Sequence, residues 1–446
     1  MKRHEEKVSR IAAALQKHPA GVPLSLKKKA VSHEVPKPGD RRRFDVKIDI
    51  SDLNDILQID PENRICVAEP GVTFARAVRE TMKYGLVPII VPEFESITLG
   101  GAVAGCSIES MSYKYGGFHD TCLEYEVVTA KGEVLVCTPE NERSLIFQMV
   151  HGTFGTVGII TRLTFRLLPA KKYVRVTYKK YGTLGEFKAA VWDQFERRDA
   201  DFMDGIIHSP SEYALSLGTF VGEAPYVNRY RKLKVYYTTT NTRSEDYLKT
   251  EDYFFRYDQG VTNVGPKSPI VRFLAGWLLQ SSLRLWIAGK VKPWLKPEQI
   301  PVIVDLFIPF HKADEFFAWY NDEIGYYPLW CVPYRHMRDY EWIASAFIEK
   351  LRDPLYLDLA IYGMPKSKEK NYHRLIELAL QNIGGIKTLI SENFYGEEEF
   401  WTIWNRDNFR AAKAVTDPDN LLRDLYVKTC RVMQGLKEEG PNRLSG

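Results

Sequence analysis

The sequence predicts an α+β protein with more than one packed unit, and three observations carry that reading. The chain has 446 residues with 45% hydrophobic content, enough for two or three cores rather than one. Between residues 47 and 169, short alternating runs are mixed with amphipathic helical stretches, without the strict strand–helix alternation of a parallel α/β fold. Beyond residue 170 the texture turns aromatic and basic, as in "KKYVRVTYKKYG" and "FFAWYNDEIGYYPLWCVPYRH", which points to a second unit whose sheet lines an apolar pocket or packs an aromatic core.

The elements follow in order. "MKRHEEKVSRIAAALQKHPAG" reads as an amphipathic helix, not a secretory signal. Residues 21–45 are rich in Pro, Lys and Arg, the composition of a solvated loop or of a segment facing an anion such as phosphate. Strand patterns then flank a turn at Asp60-Pro61-Glu62-Asn63, and a helix runs from about Thr73 to Tyr84, ended by Gly85. "CLEYEVVTAKGEVLVC" reads as a hairpin turning at Lys131-Gly132. A helix over 141–150, a glycine loop over 151–158 and a strand ending at Pro169 complete the first part. The last fifty residues return to amphipathic helix, with a turn at Asp417-Pro418-Asp419-Asn420.

Composition excludes several classes. A net charge of +4 is too balanced for a nucleic-acid protein. The six cysteines (Cys66, Cys106, Cys122, Cys137, Cys331, Cys430) form no CxxC pair, so neither a metal cluster nor a disulfide framework is expected, and reduced thiols imply a cytoplasmic setting. The longest apolar stretch, Ile270 to Leu295, is broken by Arg272, Arg284, Lys290 and Lys292, too often for a spanning helix. It reads as a buried helix and loop, or as an interfacial segment resting on the cytoplasmic side of a membrane.

Residues 98–116, "TLGGAVAGCSIESMSYKYG", and 152–160, "GTFGTVGII", are the two places where backbone is stripped of side chains. Glycine lets main-chain N–H groups approach a ligand closely, and successive N–H groups form a concavity for phosphate oxygens. Neither stretch is GxGxxG or a P-loop. Alone each could be a tight turn; as a pair they can hold the two ends of an extended dinucleotide.

"VPEFESITLGGAVAGCSIESMSYKYGGFHDTCLEYEVVTAKGEVLVCTPEN" and "FGTVGIITRLTFRLLPAKKYV" resemble the FAD-linked oxidoreductases of the vanillyl-alcohol oxidase fold. The resemblance is strongest to the delta-24 sterol reductase group and its bacterial relatives, including flavoproteins that reduce a methylene-branched fatty acyl chain. It continues through "DYFFRYD", "YPLWCVPYR", "EEFWTIW" and "DPDNLLRDLY". It implies a two-subdomain FAD-binding domain over 1–170, an α+β substrate (cap) domain with an antiparallel sheet over 171–395, and a C-terminal helical segment over 396–446 that returns to the FAD domain. The positions matching the cofactor contacts are Thr98, Gly100, Gly101, Gly105, Ser107, Ser110 and Gly116 in the first loop, and Gly155, Gly158, Ile159 and Ile160 in the second. The first phosphate loop of the family falls on Pro23–Lys29, where "PLSLKKK" lacks the glycine-rich form and Ser25 with nearby amides would serve. His33 has no Gly-Gly-His context, so the FAD is expected to be dissociable.

The resemblance further implies reduction of a carbon–carbon double bond in a hydrophobic lipid, with NADPH as electron donor. The alternatives are oxidation of an alcohol group and a lipid-binding scaffold that lost its cofactor. Reduction needs a hydride and an acid near the second alkene carbon. Glu109, Tyr253, Arg256 and Tyr334 are the catalytic candidates, with Asp258, Arg335 and Tyr395 beside them. Taken singly, each has a structural reading: Glu109 holding its loop, Arg256 and Asp258 forming an internal ion pair, the tyrosines packing in the core. His119 and His151 read as structural.

Overall fold

Two antiparallel sheets face one another, and the site lies where the loops of the first meet the inner surface of the second. The computed structural model describes residues 2–29, 39–230, 235–258, 260 and 301–439; the 270–295 segment lies outside them. Among the described residues no helix is long and apolar enough to cross a membrane.

The chain begins with helix α1 (Lys2–Gln16) and a parallel pair, β1 (Leu24–Lys27) on β2 (Val46–Asp49). Sequence composition marked residues 21–45 as outside the core. The structure corrects this for β1, because parallel pairing with β2 and burial of Leu24 make "LSLK" a strand. The Leu24 N–H also donates to the Leu421 carbonyl at 2.9 Å, a partner nearly 400 residues away.

The first sheet runs β3 (Ile56–Asp60), β4 (Ile65–Ala68), β8 (Ile159–Pro169), β6 (Cys122–Val128), β7 (Val134–Cys137), with β5 (Leu86–Pro88) also paired to β8. Helix α2 (Phe74–Met82) starts at Thr73, whose hydroxyl accepts from the Arg76 N–H, and ends before Gly85. The β6–β7 hairpin forms as expected, but its loop is longer than two residues. The Ala130 N–H is drawn to the Thr416 carbonyl at 2.7 Å, and α1 packs so tightly that a Cβ on Gly132 would lie 2.6 Å from the Ala12 oxygen.

The second sheet has eight strands: β9 (Tyr173–Tyr181), β10 (Phe202–Ser209), β11 (Glu212–Val221), β12 (Glu245–Lys249), β13 (Val302–Pro309), β14 (Leu329–Arg335), β15 (Leu355–Met364) and β16 (Ile386–Lys387). Their spatial order is β12-β9-β11-β10-β14-β15-β13-β16. The α+β expectation is borne out. Side chains alternate across this sheet. Its outer face, with Leu215, Cys331, Leu357 and Leu306, packs under α6 (Leu184–Arg197), α8 (Ala313–Glu323) and α9 (Tyr372–Ile383). The inner face carries Tyr178, Trp330, Val332, Tyr334 and Tyr356, joined to the core of the first sheet. The aromatic residues therefore divide between the two faces, with Phe316, Phe317 and Tyr320 of α8 serving only the outer one.

The C-terminal helices α10 (Glu397–Ile403) and α11 (Arg406–Thr416) lead back to the first sheet. Lys413 donates to the Thr156 carbonyl at 3.2 Å and Lys428 to the Phe154 carbonyl at 2.6 Å, so the last segment holds the 151–158 loop by its backbone.

Candidate active site

The two glycine-rich loops touch. Gly152 N–H donates to the Val103 carbonyl at 3.4 Å and Phe154 N–H to the Ala104 carbonyl at 3.2 Å, which joins them into one surface. Within the first loop, Thr98 caps the short helix α3 (Leu99–Ala104), its hydroxyl accepting from the Gly101 N–H at 3.3 Å. Gly100 is required by packing: a Cβ would lie 2.5 Å from Cβ of Pro70. Gly105 closes the helix, and Ser107 ties the loop through its carbonyl, which accepts from Phe118 N–H at 2.9 Å. Gly116 has φ +73°, and a Cβ there would strike Asp120.

The second loop is different. Gly155 also has φ +73°, yet nothing lies within 4 Å of where its Cβ would be. Gly158 lets β8 approach β6, with a virtual Cβ 2.5 Å from Val127. Ile159 and Ile160 pair with Val128 and Val127, while β4 covers β8 only from Leu163 onward. Their other backbone edge is therefore uncovered by a strand among the described residues. Between the loops, Nδ1 of His119 and Nδ1 of His151 are buried without a hydrogen-bond partner, Nε2 of His119 lies 3.3 Å from Oδ2 of Asp120, and burial holds both rings below the usual histidine range. Open space at Gly155, backbone without side chains and orphaned polar atoms between the loops are what a bound dinucleotide requires. The residues present fit FAD. Ser25 donates to Asp45, which also takes both Nη atoms of Arg423. That side chain is thus occupied by a carboxylate that the C-terminal segment also holds.

Arg256 is the centre of the polar site. It follows helix α7 (Thr250–Phe254), and its side chain is fully buried. Nη1 lies 3.1 Å from Oε1 of Glu109 and Nη2 3.1 Å from Oδ2 of Asp204. The guanidinium stands 4.1 Å from the Tyr253 ring centroid, 4.7 Å from that of Tyr257 and 5.3 Å from that of Tyr236. Asp204 also accepts from Tyr257 Oη at 2.6 Å and Trp330 Nε1 at 3.1 Å. Oε2 of Glu109, Oδ1 of Asp204 and Oη of Tyr253 are buried with no partner. Burial raises the Glu109 carboxyl to about 7, against the Arg256 charge, which lowers it.

The structure thus brings Glu109, Tyr253 and Arg256 together. Arg256 pairs with Glu109 and Asp204; Asp258 instead accepts from the Glu95 N–H at 3.3 Å. Tyr334 belongs to a second network. Its hydroxyl meets that of Tyr340 at 2.5 Å, Tyr340 donates to Asp120 at 2.9 Å, and Asp120 accepts from the Gly117 N–H at 2.8 Å. Arg335 donates to the Tyr113 carbonyl at 3.2 Å, anchoring helix α4 (Ser112–Tyr115). Tyr395 is remote, packed against Phe400 and Trp404. Asp204 was missed by sequence reasoning. Its signal was a lone carboxylate inside the buried strand "FMDGII", which demands a cationic or hydrogen-bonding partner.

Residues 3–138 match the family model described as an FAD binding domain. The Delta(24)-sterol reductase of Homo sapiens is 26% identical over 399 residues, covering 85% of this chain and 77% of the relative. The chain is an FAD-dependent oxidoreductase. The Delta(24)-sterol reductase homolog of Caenorhabditis elegans is 26% identical over 423 residues (86% and 79% coverage), and the Delta(24)-sterol reductase of Pisum sativum 27% over 370 residues (75% and 65%). A more distant relative, cytokinin dehydrogenase 1 of Arabidopsis thaliana, matches over 140 residues at 29% identity. The inner face of the eight-stranded sheet is the one joined to the core of the oxidoreductase's first sheet.

A test follows for the second loop. Gly155→Val places a β-branched side chain at φ +73° in space that is open in the protein alone. It is expected to weaken FAD uptake at least tenfold while lowering stability by about 1–2 kcal/mol through backbone strain. Equilibrium dialysis against FAD and thermal unfolding of the apoprotein separate the two effects; unchanged FAD affinity would remove this loop from the cofactor site.

Proposed function

We propose that the oxidoreductase reduces a carbon–carbon double bond of a hydrophobic lipid, sterol-like or fatty-acyl, with NADPH as the source of electrons. One observation carries the reading: the buried charge cluster Glu109–Arg256–Asp204, enclosed by tyrosine and tryptophan rings where the glycine-rich loop meets the inner sheet face. Such surroundings favour an apolar substrate and shut out water. The names of the relatives, which are reductases of a sterol double bond, support it. Thr98, Gly101, Gly105, Ser107, Ser110 and Gly116, with Gly155, Gly158, Ile159 and Ile160, are the residues that would hold the FAD, with Gly100 needed to pack the loop.

When bound and reduced, FAD supplies the hydride for one alkene carbon. The chain supplies the rest. An unactivated alkene accepts hydride only as positive charge builds on it, so negative charge and ring faces must surround it. Arg256 holds the Glu109 carboxylate in place, and Tyr253 and Tyr257 present their rings beside it; cation–π attraction adds roughly 0.5–2 kcal/mol per well-placed ring. Tyr334, joined through Tyr340 to Asp120, fixes the Gly117–Asp120 turn of the cofactor loop. The test is anaerobic reduction of the FAD-loaded protein with NADPH, followed by addition of sterol and fatty-acyl alkenes. Reoxidation by an alkene is expected. If reoxidation occurs only with oxygen, and alcohols reduce the cofactor, the proposal fails in favour of alcohol oxidation.

A further inference from the structure

A second carboxyl cluster stands on the inner sheet face, and no role above uses it. Asp358, in the middle of β15, lies between Val332 of β14 and Phe307 of β13, its register partners on either side. It is 4% exposed, and its Oδ1 has no hydrogen-bond partner. Asp305, two residues from Phe307 on β13, shares this face, and Tyr362 donates to Asp305 Oδ1 at 2.6 Å. Glu93 faces them from the segment that leads into the cofactor loop. Asp305, Tyr362 and Glu93 are only half-buried although they face inward.

Burial, then the charges of Asp305 and Glu93, push the Asp358 carboxyl well above the ordinary range. Burial and the Glu109 charge push Glu93 up to about 8, and burial pushes Asp305 up to about 6. The contrast with Glu109 is geometric. Glu109 is bridged to a guanidinium, whereas the charges acting most on Asp358 are all carboxylates. Resting on the function proposed above, we propose that Asp358 is the proton donor of the alkene reduction, a catalytic residue that meets the alkene carbon opposite the one receiving hydride. The π pair of the alkene takes the Asp358 proton to form one C–H bond, and the hydride, drawn ultimately from NADPH, forms the other. The carboxylate left on Asp358 is reprotonated from water by way of half-buried Glu93 and Tyr362. Ionised Asp305 supplies negative charge toward the developing cation.

The titratable groups facing Asp358 are Asp305 and Tyr362 from the sheet and Glu93 and Glu109 from the loop side, while the Cys331 thiol of the neighbouring strand points to the outer face. The experiment compares FAD-loaded wild type with Asp358→Asn and Asp358→Glu. If wild type reduces no lipid alkene, the parent reading fails, and this one with it. Given wild-type reduction, Asp358→Asn is expected to bind FAD and accept electrons from NADPH normally, yet reoxidise with the alkene about 10²–10⁴-fold more slowly; Asp358→Glu should recover part of the rate. Wild-type reoxidation should decline on the alkaline side, and the residual rate of Asp358→Asn should lose that limb. A separate readout is the infrared carbonyl absorption of protonated carboxylic acids in oxidised wild type at pH 7.5, which should lose one component in Asp358→Asn while the component from Glu93 remains. Reoxidation of Asp358→Asn within threefold of wild type, or carbonyl absorption identical in wild type and Asp358→Asn, overturns the assignment.

Discussion

Arg256→Met is expected to lower the stability of the oxidoreductase by about 3–5 kcal/mol at pH 8, because it strands two buried carboxylates without their shared cation. Glu109 is 2% exposed and Asp204 fully buried, and each lies 3.1 Å from a guanidinium nitrogen. Removing the partner leaves the desolvation of both acids uncompensated, while methionine fills only the volume. The pH dependence sharpens the test. Glu109 already has a folded value of about 7 against 4.5 ordinarily. A carboxyl raised on folding makes the fold lose stability as pH climbs from the lower value to the higher. Without Arg256 the folded value rises further, so the deficit of the variant should be larger at pH 8 than at pH 6. Thermal unfolding of both proteins at the two pH values measures it. A variant as stable as wild type at pH 8 would mean that the cluster is hydrated rather than closed.

The second large effect is at the other end of the chain. His4 is buried in α1 with Nδ1 donating to Glu69 at 2.8 Å and Nε2 to Glu126 at 2.9 Å, so both ring nitrogens carry protons. Lys7, one turn on, donates to Glu69 at 2.7 Å and Asp55 at 2.8 Å. The bonds to Glu126 and Glu69 raise His4 from 6.5 to about 9. That shift corresponds to about 3 kcal/mol of stabilisation. Because the folded value lies above the unfolded one, the contribution is complete below about 6.5 and disappears as pH rises through about 9. His4→Leu should therefore unfold at markedly lower denaturant than wild type at pH 6, with the gap narrowing by pH 9.5. A gap that does not change with pH would show that the ring contributes packing alone.

Local signals in the sequence were sufficient where an element closes on itself. Thr73 and Gly85 bracket α2 because a cap hydroxyl and a residue tolerant of positive φ act within one turn. The β6 and β7 strands and the strand ending at Pro169 follow from alternation, whereas the length of the β6–β7 loop is set by its contacts with Thr416 and α1. Read singly, α1 was an ordinary amphipathic helix, because the partners of His4 lie 65 and 122 residues away. "PLSLKKK" looked like a loop because a four-residue strand has no periodicity to read, and it becomes one only when β2 lies beside it.

The candidate site divides the same way. Glu109 and Arg256 were visible as charges inside otherwise ordered patterns, but their meeting was not, since 147 residues separate them and the pairing depends on how the second sheet docks against the glycine-rich loop. Asp358, in "LYLDLAIYGM", was invisible as a site because alternation tells that it faces the same way as Tyr356 and Ala360 without telling what that face meets.

By itself, then, the amino-acid order determined the short-range elements and the backbone bared for a cofactor, because capping, turn geometry and periodicity act over a few residues. Which acids lose their water, which gain a cation and which remain protonated was decided only by tertiary packing, because desolvation and Coulomb interaction depend on what is brought near in space.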